Sequence, residues 1–175
     1  MKNLKFLVVA FLMTSCGTIV HYDYEKSTDF STYKSYNYYD DMKTGLSQLD
    51  TKRLIRTMDS KLKTIGLTKS DTPDFFIDIQ SRDIQNRNNS NVGIGVGGGG
   101  GRGFGGVSVG IPVGQNSHTR EIIIDFVDDS KGEKLFWQAV AESSYNANAT
   151  PEKREAQFVK IIEKVFAAYP PKNTK

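Results

Sequence analysis

The chain holds one cysteine, Cys16, and the residues before it decide what chemistry its thiol can do. Lys2 and Lys5 flank the start of an apolar run, Leu4 to Met13, and Thr14-Ser15 lead into the cysteine. A basic start, a short apolar segment and small residues at the cut describe a secretory signal. The run is too short to span a bilayer, which takes about 20 apolar residues in a helix. Cleavage before Cys16 would leave its thiol on the first residue of the mature chain. One cysteine excludes an internal disulfide and any zinc site built on several thiolates. A lipid on Cys16 also leaves no thiol for catalysis.

Other residues of chemical interest are weaker signals. Gly95, Gly97 and Gly100 form a G-x-G-x-x-G, but no helical pattern follows to present amides to a phosphate. With 16 glycines in the chain, such a match is expected by chance. Six of the eight tyrosines fall between Tyr22 and Tyr39, which suggests two uses. Exposed rings would make a stacking platform for a glycan or cell-wall fragment, with Tyr36 and Tyr38 as contact residues. Alternation of Tyr22, Tyr24, Tyr36 and Tyr38 equally fits half-buried strands, and that reading is preferred. His21 and His118 have no partner at metal-ligand spacing, and Asp40-Asp41 and Asp128-Asp129 fall in turns, where aspartate is common. No serine sits in a G-x-S-x-G elbow. The expectation is a non-enzymatic protein without cofactor or metal.

Charge narrows the partners. Removing residues 1–15 takes away Lys2 and Lys5, leaving 21 of the 23 Lys and Arg against 20 Asp and Glu, a formal +1. Nothing in that balance suggests nucleic-acid binding. The remaining residues, 16–175, suit one domain with a real core.

These groups need a scaffold, and the patterning supplies one. Residues 18–24 and 34–39 are β-branched and aromatic, and read as strands. Ser47 and Asp50 resemble a capping box for a helix whose face carries Leu54, Ile55, Met58, Leu62 and Ile65. Gly66 then ends it, with Leu67 folding back on Leu62. Phe75, Ile77 and Ile79 alternate in a strand opened by Pro73-Asp74. Residues 86–115 are glycine-dominated, and their scattered Val, Ile and Phe suggest two weak strands, a hairpin over 91–115 with Arg102 and Phe104 at its tip. Ile122, Ile124 and Phe126 mark one face of a strong strand, and a turn at 129–132 brings back Leu135, Trp137, Ala139 and Ala141. Trp137 reads as a core anchor. Thr150 and Pro151 open a last helix, striped by Phe158, Ile162, Val165, Phe166 and Tyr169 and closed by Pro170-Pro171. The expected fold is α+β, a two-layer antiparallel sheet with two helices packed on one face, in the order β-β-α-β-β-β-β-β-α.

Several of these motifs also carry a resemblance. Residues 1–16 resemble a bacterial lipoprotein signal, in which the cysteine becomes the acylated first residue. Asp23-Tyr24, the run Asp29-Phe30-Ser31-Thr32-Tyr33-Lys34-Ser35-Tyr36, Pro73-Asp74-Phe75-Phe76-Ile77, Ile122 to Asp128 with Lys134-Leu135-Phe136-Trp137, and Tyr169-Pro170-Pro171 are similar to the bacterial lipoprotein family of domain of unknown function 4136. Gln138-Ala139 departs from that family, where a basic residue and glycine are expected. The resemblance implies a lipid-anchored α+β domain in the cell envelope, most simply at the outer membrane of a Gram-negative bacterium. It brings no activity and no catalytic residue. The expected role is a structural or interaction module contacting an envelope protein or cell-wall component, with Arg102 and Phe104 as the preferred contact element. A binding module for a glycan, cell-wall fragment or small apolar ligand is the alternative.

Overall fold

A computed structural model describes residues 17–85 and 118–172. The expected signal segment, Cys16, and the hairpin expected over 91–115 with Arg102 and Phe104 lie outside the described residues.

The first strand, β1 (Ile19–Tyr24), leads through a single 3-10 turn at Phe30–Thr32 to β2 (Ser35–Tyr38). Asp29 shapes that turn by accepting from the Ser31 amide. Helix α1 (Gln48–Thr64) starts where the Ser47 hydroxyl accepts from the Asp50 amide. Its end is set by Gly66, whose φ of +89° is the left-handed conformation, and the Leu67 amide returns to the Leu62 carbonyl. A two-residue strand, β3 (Thr68–Lys69), precedes β4 (Phe75–Gln85). Next come β5 (His118–Asp128), β6 (Lys134–Tyr145) and helix α2 (Pro151–Val165). Thr150 caps α2 and Pro151 fills a first-turn position that needs no amide.

Among the described residues six strands form one sheet in the order β1-β6-β5-β4-β2-β3. It is mixed, not antiparallel throughout. β2 runs parallel to β4 and to β3, because α1 carries the chain across the sheet before it returns. The remaining pairs, β1–β6, β6–β5 and β5–β4, are antiparallel. The element order differs accordingly from the expected one: β3 is additional, and the two weak strands expected over 91–115 lie outside the described residues.

The alternating apolar residues of β4 and β5 share one core cluster with Leu54, Met58 and Leu62 of α1 and Phe158, Ile161, Ile162 and Val165 of α2. Both helices therefore cover the same face of the sheet. Phe126 sits at its centre, 4.6 Å from both Phe75 and Trp137 ring to ring, with Tyr169 at 5.5 Å. β6 departs from strict alternation. Phe126 pairs with Trp137 but Val127 pairs with Leu135, so Phe136 is an extra residue in a β-bulge. The bulge buries Phe136 beside Trp137 and turns Leu135, expected on the core face, to 46% exposure.

The helix layer is locked by charge. Asp50, only 2% exposed, accepts from Arg53 at 2.8 Å and from Arg154 of α2 at 2.6 Å. Instead of closing a capping box on Ser47, its carboxylate ties the starts of the two helices together.

Candidate functional site

The tyrosines are placed as structure rather than as a platform. Tyr36 and Tyr38 are buried, and both hydroxyls donate to one Asp59 oxygen, at 2.9 and 2.7 Å. Burial first, and the Asp59 bond second, push both phenols well above their ordinary pKa. Tyr33 is buried and donates to Asp128, and Tyr22 donates to the Lys164 carbonyl. Tyr36 and Tyr38 are thus removed from the contact surface expected of them, because the inward face of β2 is covered by α1. Trp137 lies in the core, 1% exposed, between Phe126 and Phe166.

Among the described residues no helix lies on the other face of the sheet. Between the inward residues, β4 presents Phe76, Asp78 and Gln80, and β5 presents Ile123, Asp125 and Val127, all intermediate or exposed. Asp78 and Asp125 are directly paired across the two strands. Like charges placed opposite each other cost sheet stability, so this pair is not there to hold the fold. Gln80 donates to Asp78 at 2.9 Å, and Gln138 of β6 donates to Asp125 at 2.8 Å, which fixes both carboxylates in place. Burial, joined by the charge of Asp78 and opposed by the Gln138 bond, raises the Asp125 pKa above the ordinary carboxylate value.

Around this pair opens a trough of about 560 Å³. The chain between β2 and α1 forms one wall with Tyr39, Asp41, Met42 and Lys43, and Glu133 stands at another side. Tyr39 stacks on Phe76, their rings 4.9 Å apart at 19°. Its phenol is raised by burial and then by the negative charge of Asp129, Glu133, Asp78 and Asp41. Among the described residues none of Asp41, Asp78, Asp125 and Glu133 is in an ion pair. Among the described residues Lys43 is the one cation in the lining. Such a surface suits an organic cation, an ammonium or guanidinium that several carboxylates share.

The wall is held by a close approach of backbone to backbone. The Ser81 amide donates to the Thr44 carbonyl at 2.8 Å, and Gly45 follows at φ +72°. A Cβ at Gly45 would sit 2.6 Å from the Ser81 carbonyl oxygen, so only glycine fits. The sequence reading missed this trough. Alternation puts Asp78 and Asp125 on outward faces, but only the β4–β5 register brings them side by side. Among the described residues no group of three or more His, Cys, Asp and Glu is placed to hold a metal ion, and no helix is long and apolar enough to cross a membrane.

Comparison with known proteins bears on the fold. A PDZ domain protein from Parabacteroides distasonis is similar over 88% of this chain, with a TM-score of 0.57 and 13% identity. The chain spans 36% of that protein's length, and the likeness is one of fold. PelC dodecamers from Paraburkholderia phytofirmans cover 86% of the chain at 9% identity, with TM-scores of 0.48 and 0.49, and the chain spans 95% and 96% of them. No curated protein matches the sequence. Residues 20–171 match the family described as Domain of unknown function (DUF4136), which takes in every described strand and both helices except for Ile19, so the chain belongs to that family.

Proposed function

We propose that this protein is a non-enzymatic interaction module of the cell envelope, anchored by lipid on Cys16, whose open sheet face recognises a basic group on an envelope partner. The observation that carries the reading is the Asp78–Asp125 pair, two fixed carboxylates side by side in a trough, with no cation paired to them among the described residues. A fold gains nothing from opposing like charges, and a cationic ligand would neutralise them. The anchor rests on the signal pattern before Cys16, with two or more acyl chains needed for stable residence. The outer membrane of a Gram-negative bacterium is the setting that fits this pattern.

The test is affinity purification of the lipidated protein from gently solubilised membranes, in parallel with the Asp78→Asn/Asp125→Asn double variant. A stoichiometric partner recovered with the wild type and lost with the variant supports the trough. Equal recovery with both removes it. Separately, Cys16→Ala should move the protein out of the detergent phase, and unchanged partitioning would refute the anchor.

A further inference from the structure

We infer that the domain is held against the bilayer by one particular end of its sheet, with the acidic trough directed away from the lipid. The inference rests on the anchoring of Cys16 and adds an orientation to it. Gly17 is joined directly to Cys16, one Cα–Cα step of about 3.8 Å. The next residue, Thr18, is already fixed, its carbonyl accepting from the Lys164 ammonium at 2.9 Å. Ile19 is paired with Glu142. No linker therefore separates the lipid from the folded sheet, and the first rung of β1 lies three residues, roughly 10 Å, from the anchored cysteine.

The registers carry that position across the sheet. Ile19 pairs with Glu142, Glu142 with Glu121, and Glu121 with Arg82. Beyond this line, further toward the lipid, Tyr145 pairs with His118 and His118 with Gln85. Three residues at about 3.3 Å each put that last rung roughly 10 Å nearer the anchor. Gln85, the last residue of β4, and His118, the first of β5, are therefore both at the membrane end. In the opposite direction the rung Asp23–Gln138–Asp125–Asp78 lies four residues from Ile19, roughly 13 Å farther from the lipid. The trough opens around that distal rung. Ile19, 55% exposed, gives the proximal end an apolar contact for the interface. Arg82 and Arg120 at the same end are paired with Glu121 and Asp83, so the tether rather than a basic patch sets the orientation.

The experiment uses the full lipidated chain in phosphatidylcholine–phosphatidylglycerol vesicles carrying a quencher on a lipid headgroup. Cys16 is the only native cysteine and its thiol is blocked by the lipid, so a fluorophore reports from Ser144→Cys or Lys134→Cys alone. These positions lie near opposite ends of β6, roughly 30 Å apart. Quenching several times stronger at 144 than at 134 is expected. Equal quenching, or stronger quenching at 134, in protein that floats with the vesicles overturns the orientation while leaving the anchor intact. Flotation of Cys16→Ala overturns the anchor, and the orientation with it. A flexible Gly/Ser insert of about 20 residues between Gly17 and Thr18 should abolish the asymmetry. Asymmetry that persists in this variant overturns the short tether as its cause.

Discussion

The two faces of β4 and β5 are built from alternate residues of the same strands, yet they answer to different demands. On the covered face Ile77, Ile79, Ile122, Ile124 and Phe126 are all fully buried under the helices. On the open face Phe76, Asp78, Asp125 and Val127 remain partly accessible, and a carboxylate stands opposite a carboxylate. The covered face is what folding selects, since each side chain removed from water contributes about 1.5–3 kcal/mol. The open face includes a pairing that folding alone disfavours. Where local energetics and the observed residues disagree, as at Asp78 and Asp125, the residues are serving something other than the fold.

The largest effect should come from the covered face. Phe126→Ala removes a fully buried ring at the centre of the aromatic cluster. A loss of about 4 kcal/mol is expected. Its neighbour on the open face, Ile123, is only partly buried, and Ile123→Ala should cost about 1 kcal/mol. Urea unfolding of the two variants measures the contrast directly as a shift in midpoint at unchanged slope. Costs that differ by less than about 1 kcal/mol would show that the open face is as structurally committed as the covered one.

Gly45→Ala comes next, and it joins the two faces. The left-handed backbone and the 2.6 Å approach to the Ser81 carbonyl both act against a side chain there. The expected cost is about 2 kcal/mol. Because Gly45 holds the chain that carries Tyr39, Asp41 and Lys43, the variant should also weaken recovery of the partner. A full-strength partner with lowered thermal stability would mean that this wall of the trough takes no part in recognition.

Much of the covered face was legible in the sequence, and the reason is locality. The α1 and α2 stripes, the Ser47 and Thr150 caps and the Gly66 stop are each written within a few residues. So are the alternations through Phe75–Ile79 and Ile122–Phe126. What was not legible depends on residues far apart in the chain. The parallel run of β2 beside β4 follows from the crossover through α1, not from any pattern within either strand. β3 has two residues, too few for a period. The Phe136 bulge breaks the alternation that would otherwise put Leu135 inside. Asp50 reads as a cap partner until Arg154, about a hundred residues later, claims it. The trough was hidden for the same reason. Asp78 and Asp125 are ordinary outward residues until a register brings them together, whereas the tyrosines were conspicuous in composition and turned out to be packed.

The smallest expected effect is the most discriminating, because its sign separates the two faces. Burial raises the Asp125 pKa in the folded protein above its ordinary 3.8. Between the unfolded value and the raised one the native state binds more protons than the unfolded state, so this group's contribution to stability falls as pH increases through that window. Asp125→Asn keeps an oxygen for Gln138 and removes the charge. Stability should rise by about 0.5 kcal/mol at pH 7, the scale of a relieved cross-strand repulsion, and the loss between pH 4 and neutrality should flatten. Partner recovery should fall at the same time, giving a protein that is more stable and less able to bind. Thermal unfolding of wild type and variant from pH 4 to 8 reads the stability arm. If Asp125→Asn destabilises at neutral pH, the carboxylate is part of the fold after all, and the open face loses its claim to be the recognition surface.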